Sequence, residues 1–174
     1  MKKLIFLGLV FLMMFTVSAV SMADNPVTAT ADIYAKVLEA IEVNKANGGD
    51  LRFGILAAPA TGDTGGTITV GPNSSSTTTN IPYHDGNVNA AQFNVQGGST
   101  VSYSVELPST DVILTNTSSS DGSTMIVNNF DSDLTGGETI GDKSSFNVGA
   151  TLNVGVGQPA GDYKGSFEVT VTFD

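Results

Sequence analysis

A strict two-residue alternation of side-chain character is the feature of this chain that most restricts its fold. It is clearest from Gly161 to Asp174, where every second residue from Tyr163 onward except Gly165 is apolar and every residue between them is polar. A period of two is typical of a β-strand that buries one face and exposes the other. The sequence therefore predicts one continuous strand over 161–174 that closes a sheet formed by residues earlier in the chain.

The same alternation recurs in about eight or nine short segments, which are separated by Gly, Asn, Asp and Ser. We expect strands at 51–56, 67–70, 93–95, 101–107 and 146–156, weaker strands at 112–114 and 125–130, and an exposed loop at 71–80. This pattern predicts an all-β protein, an immunoglobulin-like antiparallel β-sandwich with no helix. The predicted core is Phe93, Val101, Tyr103, Val105, Phe146, Val148, Leu152, Tyr163, Phe167, Val169 and Val171.

The segment from Val27 to Val43 also alternates, with eight of its nine odd positions apolar. The alternation slips between Leu38 and Ala40, which is typical of a bulge or of a break between two strands. Ile33, Val37 and Ile41 also fit a helical stripe, so a helix is the alternative. The longer two-residue period favours strand.

The first 23 residues have the pattern of a secretory signal peptide. Lys2 and Lys3 precede an apolar run from Leu4 to Val20, and small residues follow at Ser21 and Ala23. An uncleaved membrane anchor is the alternative. Cleavage after Ala23 would leave a single domain over 24–174 without a membrane span. We expect it to pass through the periplasm and to reach the cell surface or the medium.

The composition excludes several classes of partner. The chain has seven basic and 17 acidic residues and no cysteine. Without Lys2 and Lys3, subtracting 17 acidic from five basic residues gives a net charge of −12. Nucleic acid and anionic lipid are therefore not expected as partners, and a fold without disulfides depends on its core alone.

The sequence contains no catalytic pattern. Its single histidine, His84, is predicted to lie in an exposed loop, and no serine stands in a nucleophile-elbow motif. We therefore predict no enzyme activity and no cofactor. Asp131, Asp133 and Asp142 have part of the spacing of a calcium loop, but an acidic turn between strands explains them better, and we predict no metal.

Three motifs in order suggest a family, and they cover nearly all of residues 24–174. They are Leu51-x-Phe53-Gly54, Ala91-x-Phe93-x-Val95-x-Gly97, and Val148-Gly-Ala-Thr-Leu152 followed by Gly161-x-Tyr163-x-Gly165-x-Phe167. Together they resemble bacterial secreted domains of unknown function that are similar to the major fimbrial subunits of the chaperone–usher type. Those pilins end in a strand with a glycine near its start and a penultimate aromatic residue, positions that Gly161 and Phe173 match here.

The resemblance implies an open sandwich lacking one strand, which the N-terminal extension of a neighbouring subunit completes. It predicts a filament subunit that associates with itself, with a periplasmic chaperone and an outer-membrane usher as possible partners. Residues 24–45 would contain the donor strand. The implied subunit interface is Val27, Ala29, Ala31, Ile33, Ala35, Val37, Gly161 and Phe173. The alternative is a secreted monomeric binding or adhesive module, with Val27–Val43 folded into its own sandwich.

Overall fold

The computed structural model describes residues 28–37 and 39–174. The chain divides into two units, Met1–Lys36 and Val37–Asp174. The predicted signal peptide, Val27 and Leu38 lie outside the described residues. In the first unit, residues 28–36 belong to no helix or strand and are exposed. All the strands found in the described residues belong to the second unit. No helix in this part of the chain is long and apolar enough to cross a membrane.

Thirteen strands form the second unit as far as it is described. They are β1 (Glu42–Lys45), β2 (Leu56–Ala57), β3 (Gly66–Val70), β4 (Ser76–Thr79), β5 (Tyr83–His84), β6 (Ala91–Gln96), β7 (Ser102–Glu106), β8 (Val112–Asn116), β9 (Thr124–Ser132), β10 (Glu138–Thr139), β11 (Ser145–Val154), β12 (Tyr163–Lys164) and β13 (Thr170–Phe173).

The largest sheet has eight strands arranged around β11. Its main path runs β1-β6-β11-β9-β8-β12, and β3 pairs with the second half of β11 and with β4. All of these pairs are antiparallel. β11 is long enough for β6 to pair with its residues 145–148 and for β3 to pair with 150–154 on the same side. Gly149 lies at the junction, where an added Cβ would collide with the carbonyl oxygen of Val70.

A three-stranded antiparallel sheet has the order β10-β7-β13, and β2 and β5 form a separate two-stranded sheet. Aromatic contacts join the largest sheet to the three-stranded one. Phe146 of β11 stacks on Phe93 of β6 at 5.3 Å, and Tyr103 of β7 lies 6.5 Å from the same ring. This packing of one antiparallel sheet on another is consistent with a β-sandwich, so the predicted all-β fold is confirmed.

Two clusters of buried side chains make up the core. One contains Ile68, Met125, Val127, Ala150, Leu152 and Val154, and the other Ala91, Val95, Tyr103, Ile140, Phe146 and Val148. All eleven predicted core residues belong to or pack against these clusters, but only Tyr103, Phe146, Val148 and Leu152 are fully buried. The prediction missed Ile68, Val70, Val127 and Ile140, which lie on shorter or weakly alternating segments.

The prediction of a single strand over 161–174 is wrong. β12 pairs with β8 in the largest sheet, whereas β13 pairs with β7 in the three-stranded sheet, and residues 165–169 between them lie in no strand. The chain has to cross from one sheet to the other here. The alternation nevertheless continues through the crossing, because Phe167 and Val169 still point at the core.

Three other predictions need correction. Gly71–Asn80 is not simply an exposed loop, because Ser76–Thr79 is the edge strand β4. The strand predicted at 51–56 shrinks to β2 and one bridge between Arg52 and Asn89. Over 27–43, neither strand nor helix forms in the described residues before Glu42, where β1 begins.

Candidate functional site

The C-terminal strand β13 is paired along one edge. Its register with β7 places Val171 opposite Val105 and Phe173 opposite Tyr103. The N–H of Asp174 donates to the carbonyl of Ser102 at 3.0 Å. Residues of an antiparallel pair alternate between bonded and non-bonded positions, so the N–H groups of Val171 and Phe173 point to the other edge. No strand of the described residues pairs with that second edge.

The residues leading into β13 lack backbone partners as well. Across Gly165–Val169, the backbone makes no hydrogen bond to another described backbone group. Its side chains keep the two-residue alternation, with Phe167 and Val169 half-buried and Ser166 and Glu168 exposed. Over the nine residues 165–173, the backbone donors and acceptors on the edge away from β7 therefore have no partner among the described residues, and such an edge is a template for an additional strand.

A row of half-buried apolar side chains lies along this edge. Phe167, Val169, Val171 and Phe173 all pack against the second core cluster without being covered completely. The ring of Phe167 lies 6.1 Å from Phe93 and 5.0 Å from Phe130. The core is thus open along the C-terminal segment, and a second strand here would bury apolar surface as well as pair its backbone.

The start of the C-terminal segment is fixed by Tyr163 in β12. Its hydroxyl donates to the carbonyl oxygen of Pro159 at 2.8 Å and accepts from Nε2 of Gln158 at 2.8 Å. The hydroxyl of Ser123 lies 3.0 Å away. These bonds tie Tyr163 to the loop before β12 and to the loop between β8 and β9, while β12 itself pairs with β8. The open edge is therefore held in place at both of its ends.

Gly161 lies before β12, away from the open edge. Its φ is +151°, and an added Cβ would collide with the side chain of Asn116, which is 4% exposed. Asn116 donates to the carbonyl of Ala160 at 3.3 Å and accepts from the N–H of Ser118 at 2.9 Å. Gly161 is thus required locally for this packing, whereas Phe173 lies on the open edge itself. Their part in a subunit interface stays a prediction.

The other predicted interface residues belong to the N-terminal segment. Val27 lies outside the described residues. Ala29, Ala31, Ile33, Ala35 and Val37 are exposed and lie in no strand, with Ile33 94% and Val37 93% exposed. The segment keeps its apolar alternation with no strand pairing among the described residues.

Two of the three aspartates with calcium-like spacing, Asp133 and Asp142, have side-chain partners within the chain. Asp133 accepts from the N–H and Nδ2 of Asn147, both at 2.8 Å, and lies 3.3 Å from Nζ of Lys143. Burial alone would raise the pKa of Asp133, but these hydrogen bonds and the lysine charge lower it. Asp142 accepts from Oγ1 of Thr139 at 2.7 Å. The described residues contain no group of three His, Cys, Asp or Glu side chains placed to share a metal ion.

The prediction that His84 lies in an exposed loop is wrong, because the residue is half-buried in β5. Its Nε2 lies 3.0 Å from the carbonyl oxygen of Phe53. Asp85 beside it accepts from the N–H groups of Ile55 and Asn87, both at 3.0 Å. These bonds hold the short sheet of β2 and β5 together, and a structural role explains both residues.

The fold defines the class as an all-β antiparallel protein whose C-terminal strand has one edge that no described strand covers. Residues 41–173 match the family described as a domain of unknown function, DUF4402, and the chain belongs to that family. No curated protein and no solved structure matched the chain.

Proposed function

We propose that this protein is the structural subunit of a bacterial surface filament, assembled by adding a strand of one subunit to the open edge of the next. The observation that carries the proposal is the nine-residue edge at 165–173. It combines backbone groups without a partner among the described residues with four half-buried apolar side chains. Edge addition supplies affinity through backbone hydrogen bonds and specificity through pockets for alternate side chains.

The strand order supports this proposal. An immunoglobulin constant-type sandwich has four strands in the order A-B-E-D facing three in the order C-F-G. Here β1-β6-β11-β9 corresponds to A-B-E-D and β7-β13 to C-F in both sequence order and neighbours. The position next to β13 is where strand G would lie, and no described strand occupies it. An immunoglobulin-like sandwich that lacks its last strand is the arrangement that pilins resembling this chain possess.

The N-terminal segment has the properties of the missing strand. Ala29–Val37 spans nine residues, the same length as the open edge from Gly165 to Phe173. At about 3.3 Å per residue, each extends roughly 30 Å. The alternate residues Ala29, Ala31, Ile33, Ala35 and Val37 would face the half-buried row, and Ile33, the largest, would set the register.

The same open edge accounts for the proposed route to the surface. An uncovered edge with half-buried apolar side chains promotes aggregation, so a subunit in the periplasm would require a chaperone to cover 165–173. An outer-membrane usher would then exchange the chaperone for the N-terminal segment of another subunit. The role is structural and not catalytic, and the filament would lie at the cell surface after signal-peptide cleavage.

The proposal is tested by one substitution and a matched control. Ile33→Asp would place a charge in the apolar row and should abolish assembly, because an unpaired carboxylate is too costly to bury. Thr30→Asp adds the same charge at a position that would face solvent on the other side of the added strand, so this variant should assemble normally. Size-exclusion chromatography and electron microscopy of the secreted proteins report the result. A stable wild-type monomer would contradict the filament and favour the monomeric adhesive module.

A further inference from the structure

The solvent side of the largest sheet carries a continuous surface without charge. Directly opposite residues in an antiparallel pair share one face, and the register links five adjacent strands in this way. We call this surface the neutral face. It consists of Thr67 and Thr69 of β3, Thr77 and Thr79 of β4, Ile113 and Thr115 of β8, Thr124, Ile126 and Asn128 of β9, and Thr151 and Asn153 of β11. Thr151, at its centre, is only 9% exposed because its neighbours on the face surround it.

The absence of charge from this face is unusual for so acidic a chain. The protein has 17 acidic residues and a formal net charge of −10, yet none of the eleven residues is ionisable. The charges that border the face include Lys164, which pairs with Thr115, and Asp111, whose carboxylate accepts from Asn128 at 3.4 Å. Asp131 also borders it, because it lies opposite Gly149, two residues before Thr151 in β11. A charged partner would therefore be held by other surfaces, and this face suits a partner surface that is itself neutral.

Two exposed isoleucines lie side by side on the neutral face. Ile113 is 60% exposed, Ile126 is 41% exposed, and the two are direct cross-strand partners. Isoleucines on the solvent side of a sheet are not stabilised by burial in the core, whereas a second surface docked on this face would bury them.

The polar side chains of the face are already ordered by one another. The hydroxyls of Thr69 and Thr151 are 2.8 Å apart, and Nδ2 of Asn153 donates to Oδ1 of Asn128 at 3.1 Å. Side chains that are fixed before binding lose little conformational entropy when a partner docks. The face is thus preorganised for contact.

We infer that the neutral face is a contact between two copies of this chain, packed side by side through their largest sheets. A second copy supplies the matching neutral surface, and two-fold packing brings the same patch of each copy together. Copies of so acidic a protein repel one another over most of their surface, and they repel least where these uncharged faces meet.

The size of the face indicates a weak contact. Five strands spaced about 4.8 Å apart give a width near 24 Å, and the two alternate positions that most of these strands contribute give about 13 Å. Two copies would bury on the order of 600 Å² in total, which is less than a standard specific interface and fits only a weak, transient contact. The contact involves the opposite sheet from β13, so it would join chains laterally and does not depend on strand addition.

Sedimentation velocity of the full secreted chain across a range of concentrations tests this inference. We expect the wild type to form a laterally associated species that strengthens with added salt, because salt screens the repulsion between acidic copies. Ile126→Glu should weaken this association roughly tenfold or more by opposing like charges across the contact. Ser104→Glu, exposed in the middle of β7 on the smaller sheet, adds the same charge and should leave the association unchanged.

The outcome separates this contact from filament assembly. Polymers joined by strand addition are scored independently, as a ladder on an unheated denaturing gel, and Ile126→Glu should leave that ladder intact. The lateral contact is refuted if the wild type shows no concentration-dependent species beyond those in the ladder, or if Ile126→Glu and Ser104→Glu behave alike. Binding of a neutral polysaccharide without self-association would also refute it.

Discussion

Phe173 lies directly opposite Tyr103 in the register of β13 and β7, with their ring centroids 6.5 Å apart. Tyr103 is fully buried and its hydroxyl donates to the carbonyl of Lys143 at 2.8 Å, whereas Phe173 stays half-buried at the rim of the same cluster. This pair marks the line where the closed core ends and the open edge begins.

This difference in burial predicts that replacing Phe146 or Phe173 by alanine lowers the free energy of unfolding by different amounts. Phe146→Ala should lower the free energy of unfolding by about 3–5 kcal/mol, because a fully buried ring leaves a cavity. Phe173→Ala should cost clearly less in the subunit alone. Denaturant unfolding of both variants in an Ile33→Asp background removes the contribution of assembly. Equal costs would mean that the C-terminal edge is closed.

We predict that position 149 accommodates no residue larger than glycine without a loss of stability. Gly149→Ala would push a methyl group into the backbone of Val70 and Gly71, which cannot move without disrupting β3. Overpacking of this kind costs roughly 1–3 kcal/mol. Gly98→Ala is the control, since its Cβ would meet only Val101 at 3.4 Å. Thermal unfolding should show a lower melting temperature for Gly149→Ala but not for Gly98→Ala. Similar melting temperatures for the two variants would contradict the tight junction.

The hydroxyl of Tyr163 is predicted to contribute to stability. Tyr163→Phe removes its hydrogen bonds to Pro159, Gln158 and Ser123 and should cost about 0.5–1.5 kcal/mol. Tyr83→Phe, at a residue that is 58% exposed, serves as the control and should be neutral. If both variants unfold at the same denaturant concentration, Tyr163 does not anchor the start of the C-terminal segment.

Glu138 should make the stability depend on acid pH. Its carboxylate accepts from the N–H and hydroxyl of Thr135, which lowers its pKa from 4.5 to about 2. A carboxyl whose pKa is lowered by folding stabilises the fold above its unfolded pKa, and this contribution is lost as pH falls through 4.5 towards 2. The difference in melting temperature between wild type and Glu138→Gln should therefore be largest above pH 5 and shrink near pH 2. A difference independent of pH would contradict this.

The sequence predicted strands well where one face is apolar and the other polar. β11, expected at 146–156, is observed at Ser145–Val154 because its inner residues alternate without interruption. β4 could not be found this way, since Ser76–Thr79 is polar on both faces and is held only by pairing with β3. β-branched threonines were the available signal, as they favour strands.

The open edge itself could not be read from the alternation. The pattern of 161–174 continues from Tyr163 to Phe173 although the segment changes sheets, because both parts face the same core. Which edge of β13 is paired depends on the position of β7, a contact distant in sequence. The sequence did indicate Phe173 and the alternating N-terminal segment as interface residues. In the proposed function, the N-terminal segment of one subunit pairs with the edge of β13 that contains Phe173 in the next.

Hydrogen exchange at the amides of Val171 and Phe173 tests the account most directly. These N–H groups face the edge that no described strand covers, so strand addition should protect them in the assembled wild type and leave them fast in Ile33→Asp. The amide of Asp174, bonded to Ser102, gives an internal reference for β13 itself. Protection of Val171 and Phe173 only in the assembled protein is the predicted result. Equally fast exchange in wild type and Ile33→Asp would show that no strand occupies this edge.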